Sequence, residues 1–212
     1  MKKQILPVYC FDPRFYSKKT KYGTIKCGAV RTKFMIETVE NLKKNLQKIG
    51  SNLIVTQEPP EDFLPKLYEK ETIVVFQKEI CSEELRVEKS VCSNSGATYE
   101  AIWGSTMHHL DDLGYDPKEY LPHVYGKFRE KNISVPVRKL VDTPTSLGEF
   151  PSGKELPGID LDFMPSLADF GFKDFKPDPR SCYPFVGGEE NGLKRLKEYM
   201  KKSVGHYAET RN

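Results

Sequence analysis

Apolar positions fall into two alternating rhythms along the first half of the chain. Residues 5–11 (ILPVYCF) are almost wholly apolar and β-rich, which predicts a short strand buried on both faces. The polar stretch 12–28, with the basic cluster SKKTKYG, reads as a long surface loop. A helix follows over 32–49: Met35, Val39, Leu42, Leu46 and Ile49 recur at alternating four- and three-residue steps and share one face. Gly50 stands at the position that ends such a helix, with Lys43, Lys44 and Lys48 near its negative end. Residues 52–56 (NLIVT) form a second strand, and Pro59-Pro60 opens a short helix over 61–70. A third strand spans 73–77 (IVVFQ), a helix 82–90, and a fourth strand 99–103 (YEAIW). Short apolar strands alternating with helices predict an α/β architecture, a Rossmann-like parallel sheet flanked by helices on both faces.

The rhythm changes after Trp103. Residues 103–117 read as loop, and Leu121, Val124, Tyr125 and Phe128 mark a helix over 121–131. Residues 132–184 are rich in Pro, Gly, Ser and Asp and hold more than half of the fifteen prolines. Phe150, Phe163, Phe170, Phe172 and Phe175 punctuate this stretch, so it is expected to pack on the rest as a connector. A last helix, 189–202, places Leu193, Leu196 and Met200 on one stripe after Gly187-Gly188.

Composition narrows the function. Among 212 residues, Lys+Arg 33 against Asp+Glu 30 gives a net charge of +3, too weak for nucleic-acid binding driven by bulk electrostatics. No apolar run reaches the ~18 residues that a spanning helix requires. The N-terminal MKKQILPVYCF has too short an apolar run for a secretory leader. Five cysteines, at 10, 27, 81, 92 and 182, form no C-x-x-C pair, which points to free thiols in a reducing, intracellular compartment. Neither zinc-ligand spacing nor a glycine-rich phosphate cradle is present, so no metal site is expected.

A parallel sheet binds ligands at the carboxyl ends of its strands. Those ends carry Asp12-Pro13-Arg14, Glu58-Pro59, the run Lys78 to Glu84, and Gly104-Ser105-Thr106. Two readings of the acidic turn stay open. Glu83 and Glu84 either complement the dipole of the following helix, for ~0.3–1 kcal/mol each, or accept N–H bonds from a planar ligand such as a purine or pterin. Cys81 is either a thiol activated by a helix N-terminus or a small buried apolar residue. His108 and His109 before Asp111-Asp112 invite an acid–base reading, yet no nucleophile accompanies them, so a polar loop is the better fit. Trp103 is read as core, and Lys18, Lys19 and Lys21 as a solvated run.

Taken together, several segments resemble the N-terminal α/β domain of DASH-type cryptochromes, in the photolyase/cryptochrome superfamily. They are PVYCFDPR (7–14), KCGAVR (26–31), KEICSEELRVEK (78–89), WGSTMHHLDDL (103–113), LPHVYGKFREK (121–131), PFVGGEENGLKRLKEY (184–199) and HYAETRN (206–212). Their order and spacing hold over nearly the whole chain. The resemblance implies an α/β antenna domain over 1–131, an interdomain connector over 132–184, and over 185–212 the first helix of a FAD-binding helical domain whose remainder is absent. The antenna cofactor would be 5,10-methenyltetrahydrofolate. Glu84 would bond its pterin, Glu79 and Cys81 would line the same pocket, and Lys26 and Cys27 would come from the opposing loop.

In the family, FAD sits in the helical half and drives repair of pyrimidine dimers, mainly in single-stranded DNA for this branch, or blue-light signalling. No catalytic residue is carried over, because the flavin segment begins after Asn212. The partner implied is that helical half, with DNA met only through the parent protein and no membrane. Whether the chain is itself an enzyme stays open, and by itself it is expected to be inactive. Cytoplasm, nucleus or an organelle are all compatible. The family's first strand, which lies mid-sheet, has no counterpart before Ile5, and its loss would leave backbone groups unpaired. A second reading also stays open: a non-enzymatic interaction protein derived from a split or truncated gene.

Overall fold

A computed structural model describes residues 4–181 and 183–210, so Cys182 and the closing Arg211-Asn212 of the matched motif lie outside the described residues. The chain divides into two compact units, Met1–Phe63 with Pro144–Asn212, and Leu64–Thr143.

The first unit is built on a β-α-β crossover. Strand β1 (Val8–Cys10) runs parallel to β2 (Ile54–Thr56), with Val8 opposite Ile54 and Cys10 opposite Thr56. Backbone bonds from Ile54 to Pro7 (2.9 Å) and from Phe11 to Thr56 (2.7 Å) extend the ladder at both ends. After β1 comes a single turn, α1 (Pro13–Tyr16), capped by the Asp12 carboxylate and opened by a proline. The crossover helix α2 (Ala29–Lys48) begins earlier than the apolar stripe predicted, directly after Gly28. Its buried face is Thr32, Val39 and Lys43, with Met35, Ile36 and Leu46 against the core. Leu42, expected on that face, is largely exposed, and Lys43 takes the inward position. The helix α3 (Pro60–Phe63) follows β2.

Phe11, Tyr16, Cys27, Val39, Leu53, Val55 and Phe170 form the core of this unit. Phe170 comes from the connector. It ends a 3-10 turn (Leu167–Phe170) whose Ser166 and Asp169 satisfy each other's backbone N–H groups in a capping box. Its ring lies 5.5 Å from Phe11 and 5.4 Å from Tyr16, and Phe11 meets Tyr9 edge-on at 4.8 Å. The connector therefore does more than cover the surface: it supplies part of the core.

Helix α6 (Glu189–Lys202) docks its N-terminus on α2. Gly187 N–H donates to Glu37 (2.9 Å) and Gly188 N–H to Thr38 Oγ1 (3.1 Å). A Cβ on Gly187 would collide with the Phe34 carbonyl oxygen, and Gly188 adopts φ +105°, so both positions require glycine. The final turn, α7, is Tyr207–Thr210.

In the second unit, β3 (Ile73–Gln77) runs parallel to β4 (Thr98–Ile102), joined by α4 (Ser82–Cys92) in a second β-α-β crossover. Val74, Phe76 and Tyr99 are half-buried, while Ile73, Val75 and Gln77 face solvent. The expectation of strands covered on both faces thus holds for β2 alone, whose three residues are all buried. An apolar run such as IVVFQ reads alike whether one face or two are covered. Helix α5 (Tyr125–Asn132) starts after the predicted residue 121, with Leu121, Val124 and Tyr125 exposed. Its anchor is the buried Asn132, which exchanges hydrogen bonds with the Tyr115 hydroxyl and donates to the Phe128 carbonyl (2.7 Å).

The four strands form two parallel pairs rather than one four-stranded sheet. Among the described residues, each of the four strands keeps one edge without a strand partner.

Candidate functional site

Each β-α-β crossover presents a carboxyl end with its own chemistry. In the first unit, that end is dominated by an ion network. Arg14 donates to both Asp12 oxygens (2.9 and 2.8 Å from Nε) and to both Glu61 oxygens (2.8 Å each). Asp12 is buried, so this pairing offsets a desolvation cost that an isolated carboxylate would not survive. Burial, reinforced by Asp12, Glu58 and Glu61, pushes the neighbouring Cys10 thiol up to about 12. Cys10 is therefore a protonated thiol and a poor nucleophile at neutral pH.

A cleft of about 220 Å³ opens at the end of β2, between Thr56, Gln57, Glu58 and Phe63 on one side and Asp160 and Phe163 on the other. Its second wall belongs to the connector, which Lys43 latches to α2. The buried Lys43 ammonium donates to the carbonyls of Leu161 (2.5 Å) and Phe163 (3.3 Å), and burial lowers its pKa against the pull of Asp162 and Asp160. Lys43 thus binds backbone in the interior instead of facing the helix dipole from the surface.

In the second unit, Glu79, Cys81 and Glu84 lie on or beside the first turn of α4, at the carboxyl end of β3. Cys81 occupies the N-cap position with no side-chain capping bond, and it is exposed rather than a buried apolar residue. The first-turn N–H groups of α4 therefore lack a side-chain acceptor at the cap. The Glu79 N–H meets Glu88 at 3.5 Å, which ties the turn back onto the helix. Glu84 is half-buried and has no hydrogen-bond partner among the described residues. Ile80, Ile102 and Met107 stand exposed at the same strand ends, and the half-buried Trp103 donates its indole N–H to Thr106 (3.0 Å). A half-buried carboxylate in a first helical turn can accept N–H bonds from a flat heteroaromatic ligand.

Lys26 and Cys27 belong to the first unit. Lys26 Nζ sits 4.3 Å above the Phe15 ring, and Cys27 is buried in the apolar core with its N–H on the Phe15 carbonyl (3.1 Å). The five residues are thus divided between the two units.

His109 and Asp112 have structural partners. His109 Nδ1 accepts the Asp111 N–H (3.2 Å), capping a 3-10 turn over Leu110–Asp112. Arg138 grips Asp112 through two bonds (2.6 and 2.8 Å) and holds its carboxyl below the usual range. The sequence reading did not find the Arg14–Asp12–Glu61 network or the Lys43 latch. Asp12 followed by Pro13 and Arg14 was a legible cap, but Glu61 approaches only through the β1–β2 pairing. The one available signal for Lys43 was its place in the i, i+4 register of Val39.

A family model described as DNA photolyase matches residues 1–144. The chain is 36% identical to a cryptochrome DASH of Xenopus laevis, over 99% of this chain and 41% of the relative. It is 38% identical to a chloroplastic/mitochondrial cryptochrome DASH of Solanum lycopersicum, over 98% of this chain and 39% of the relative. The chain thus spans about two fifths of these relatives' length. Among solved structures, a bacterial class III photolyase of Agrobacterium tumefaciens matches with TM-score 0.66 at 18% identity, over 94% of this chain and 39% of that one. An archaeal photolyase of Sulfolobus tokodaii, solved with two FAD molecules, matches with TM-score 0.60 at 19% identity, over 92% and 40%. At such identities the structural likeness shows a shared fold.

Proposed function

The chain belongs to the DNA photolyase family, and from that premise we propose that it is the light-harvesting α/β portion of a DASH-type cryptochrome. In this reading the α4 turn holds a second chromophore, 5,10-methenyltetrahydrofolate. The observation that carries it is Glu84, a half-buried carboxylate in the first helical turn with no partner among the described residues. Glu84 would accept N–H bonds from the pterin ring. Glu79 and Cys81 would border it on the same turn. The chromophore supplies near-ultraviolet absorption, and the chain's residues bind and orient it.

The partner in this reading is a FAD-binding helical half, as in the longer family members, and any contact with pyrimidine dimers in DNA would be made through it. An intracellular, reducing compartment, whether cytoplasm, nucleus or organelle, fits the free thiols of Cys10, Cys27, Cys81 and Cys92. No described helix is long and apolar enough to cross a membrane.

Titration of the purified protein with methenyltetrahydrofolate is expected to give saturable binding that weakens about tenfold or more in Glu84→Gln, the loss of one charge-assisted hydrogen bond. Unchanged binding removes Glu84 from the site. Separately, the chain alone is expected to perform no light-driven repair. Stoichiometric FAD on the 212-residue protein, with dimer repair under blue light, would overturn that expectation.

A further inference from the structure

Away from the α4 turn, the second unit builds a corner of two tyrosine rings around a cation. Tyr115 and Tyr120 stand at 80° to one another with ring centroids 6.2 Å apart. The Lys131 ammonium lies 4.0 Å from the first centroid and 4.2 Å from the second, within cation–π reach of both. Each wall is held from behind. The Tyr115 hydroxyl exchanges hydrogen bonds with the buried Asn132 (3.1 and 3.0 Å). Tyr120 closes a turn in which its N–H and that of Glu119 donate to the Asp116 carbonyl (3.0 and 3.1 Å). The Asp116 carboxylate in turn accepts the Lys118 N–H (2.8 Å). None of these bonds involves the Lys131 ammonium.

The surroundings favour positive charge. Lys131 lies in the last turn of α5, at the negative end of that helix. The turn over 116–120 adds Asp116 and Glu119 against Lys118. Tyr120 is 55% exposed, so the corner is open on one side. Two walls can grip a headgroup carried on a side chain, whereas a free small molecule is held by an enclosing cavity. The resident lysine sets the selectivity. A second, unmodified lysine would exchange like for like, and Lys131 has the advantage of its tether. A primary ammonium also gives up strong hydration to meet the rings. A trimethylammonium group has no N–H to hydrate, keeps its charge, and gains more from two ring faces.

We propose that Tyr115 and Tyr120 form a docking corner for a trimethylated lysine side chain of another protein, which displaces Lys131 on binding. The methyl groups of the ligand would pack on the two ring faces that the Lys131 ammonium occupies. The proposal is independent of the folate reading, whose carboxylate lies in the first turn of α4.

The test is fluorescence anisotropy of a short labelled peptide carrying trimethyllysine, titrated with the full 212-residue chain. Binding is expected to saturate, to exceed that of the unmodified-lysine peptide about tenfold or more, and to tighten further in Lys131→Ala. Tyr120→Leu, at an exposed position, is expected to weaken binding about tenfold with circular dichroism unchanged, and Tyr120→Phe, which keeps the ring, to retain it. Equal binding of a peptide in which a neutral tert-butyl group replaces the trimethylammonium overturns the proposal, because apolar contact would then suffice. So does binding indifferent to Tyr120→Leu, affinity unchanged in Lys131→Ala, tetramethylammonium chloride binding as tightly as the peptide, or no binding of the trimethyllysine peptide by either form of the chain.

Discussion

At the scale of single residues, the interior of the first unit is tuned by a few polar groups held in unusual settings. Cys10 is the clearest. Its folded thiol ionises at about 12, against ~8.5–9 for an exposed one. The unfolded chain therefore binds fewer protons than the folded chain between those values. Stability from this group is complete below the unfolded value and falls by about 1.4 kcal/mol per pH unit as pH rises towards 12. Burial also raises the Tyr16 hydroxyl, hydrogen-bonded to Tyr9 at 3.1 Å, so the informative measurement is a difference. Urea denaturation from pH 8 to 11 is expected to show a shallower decline in Cys10→Ala than in the unaltered protein; parallel curves would contradict the assignment. Lys43 teaches a related lesson. A lysine on an otherwise apolar stripe reads as a surface residue, yet it is buried where two connector carbonyls need a donor.

At the scale of elements, local signals placed most of the secondary structure. The last helix spans the residues its sequence pattern marked, because a glycine pair precedes it and acidic residues fill its first turn. The crossover helix α2 lies where its apolar stripe predicts, but its buried face centres on Thr32, Val39 and Lys43, and Leu42 falls at the edge of that stripe. Strands β1 and β2 are shorter than their β-rich runs, since such residues continue past the last ladder bond, whereas β3 spans the predicted 73–77 and β4 keeps five residues, one position earlier. The joint between α2 and α6 was not legible. It depends on Gly187 and Gly188 lying against Phe34, Thr38 and Asn41, a contact across about 150 residues. Gly187→Ala is expected to destabilise the protein by ~1–3 kcal/mol, as overpacking does. Hydrogen exchange at the amides of residues 187 and 188 should quicken more than exchange in β2. Uniform loss of protection would show instead that the joint is no separate element.

At the scale of the whole molecule, the chain organises itself as two β-α-β crossovers in two units, the first completed by the connector. The stretch that leads from the second unit back to the first includes Leu140 and Val141, 97% and 93% exposed. Large apolar side chains so open, in a segment without regular structure, are where a protease reaches the backbone first. Limited chymotrypsin digestion is accordingly expected to cut after Leu140 before any site in α2 or β2. Initial cleavage elsewhere would show that this stretch is held more firmly. The weak net charge of +3 likewise acquires a location: positive charge gathers along the later turns of α6.

The amino-acid order by itself determined the alternation of strands and helices, the parallel sense that crossovers impose, and the acidic turn at the start of α4. These depend on interactions between residues close in sequence: periodicity, caps and turn residues. Only the tertiary structure decided that the strands close as two pairs, that the connector enters the core through Phe170, that Arg14 joins Asp12 to Glu61, and that Lys43 is internal. Each of these brings together groups far apart along the chain, where packing and the satisfaction of buried polar atoms outweigh any local preference.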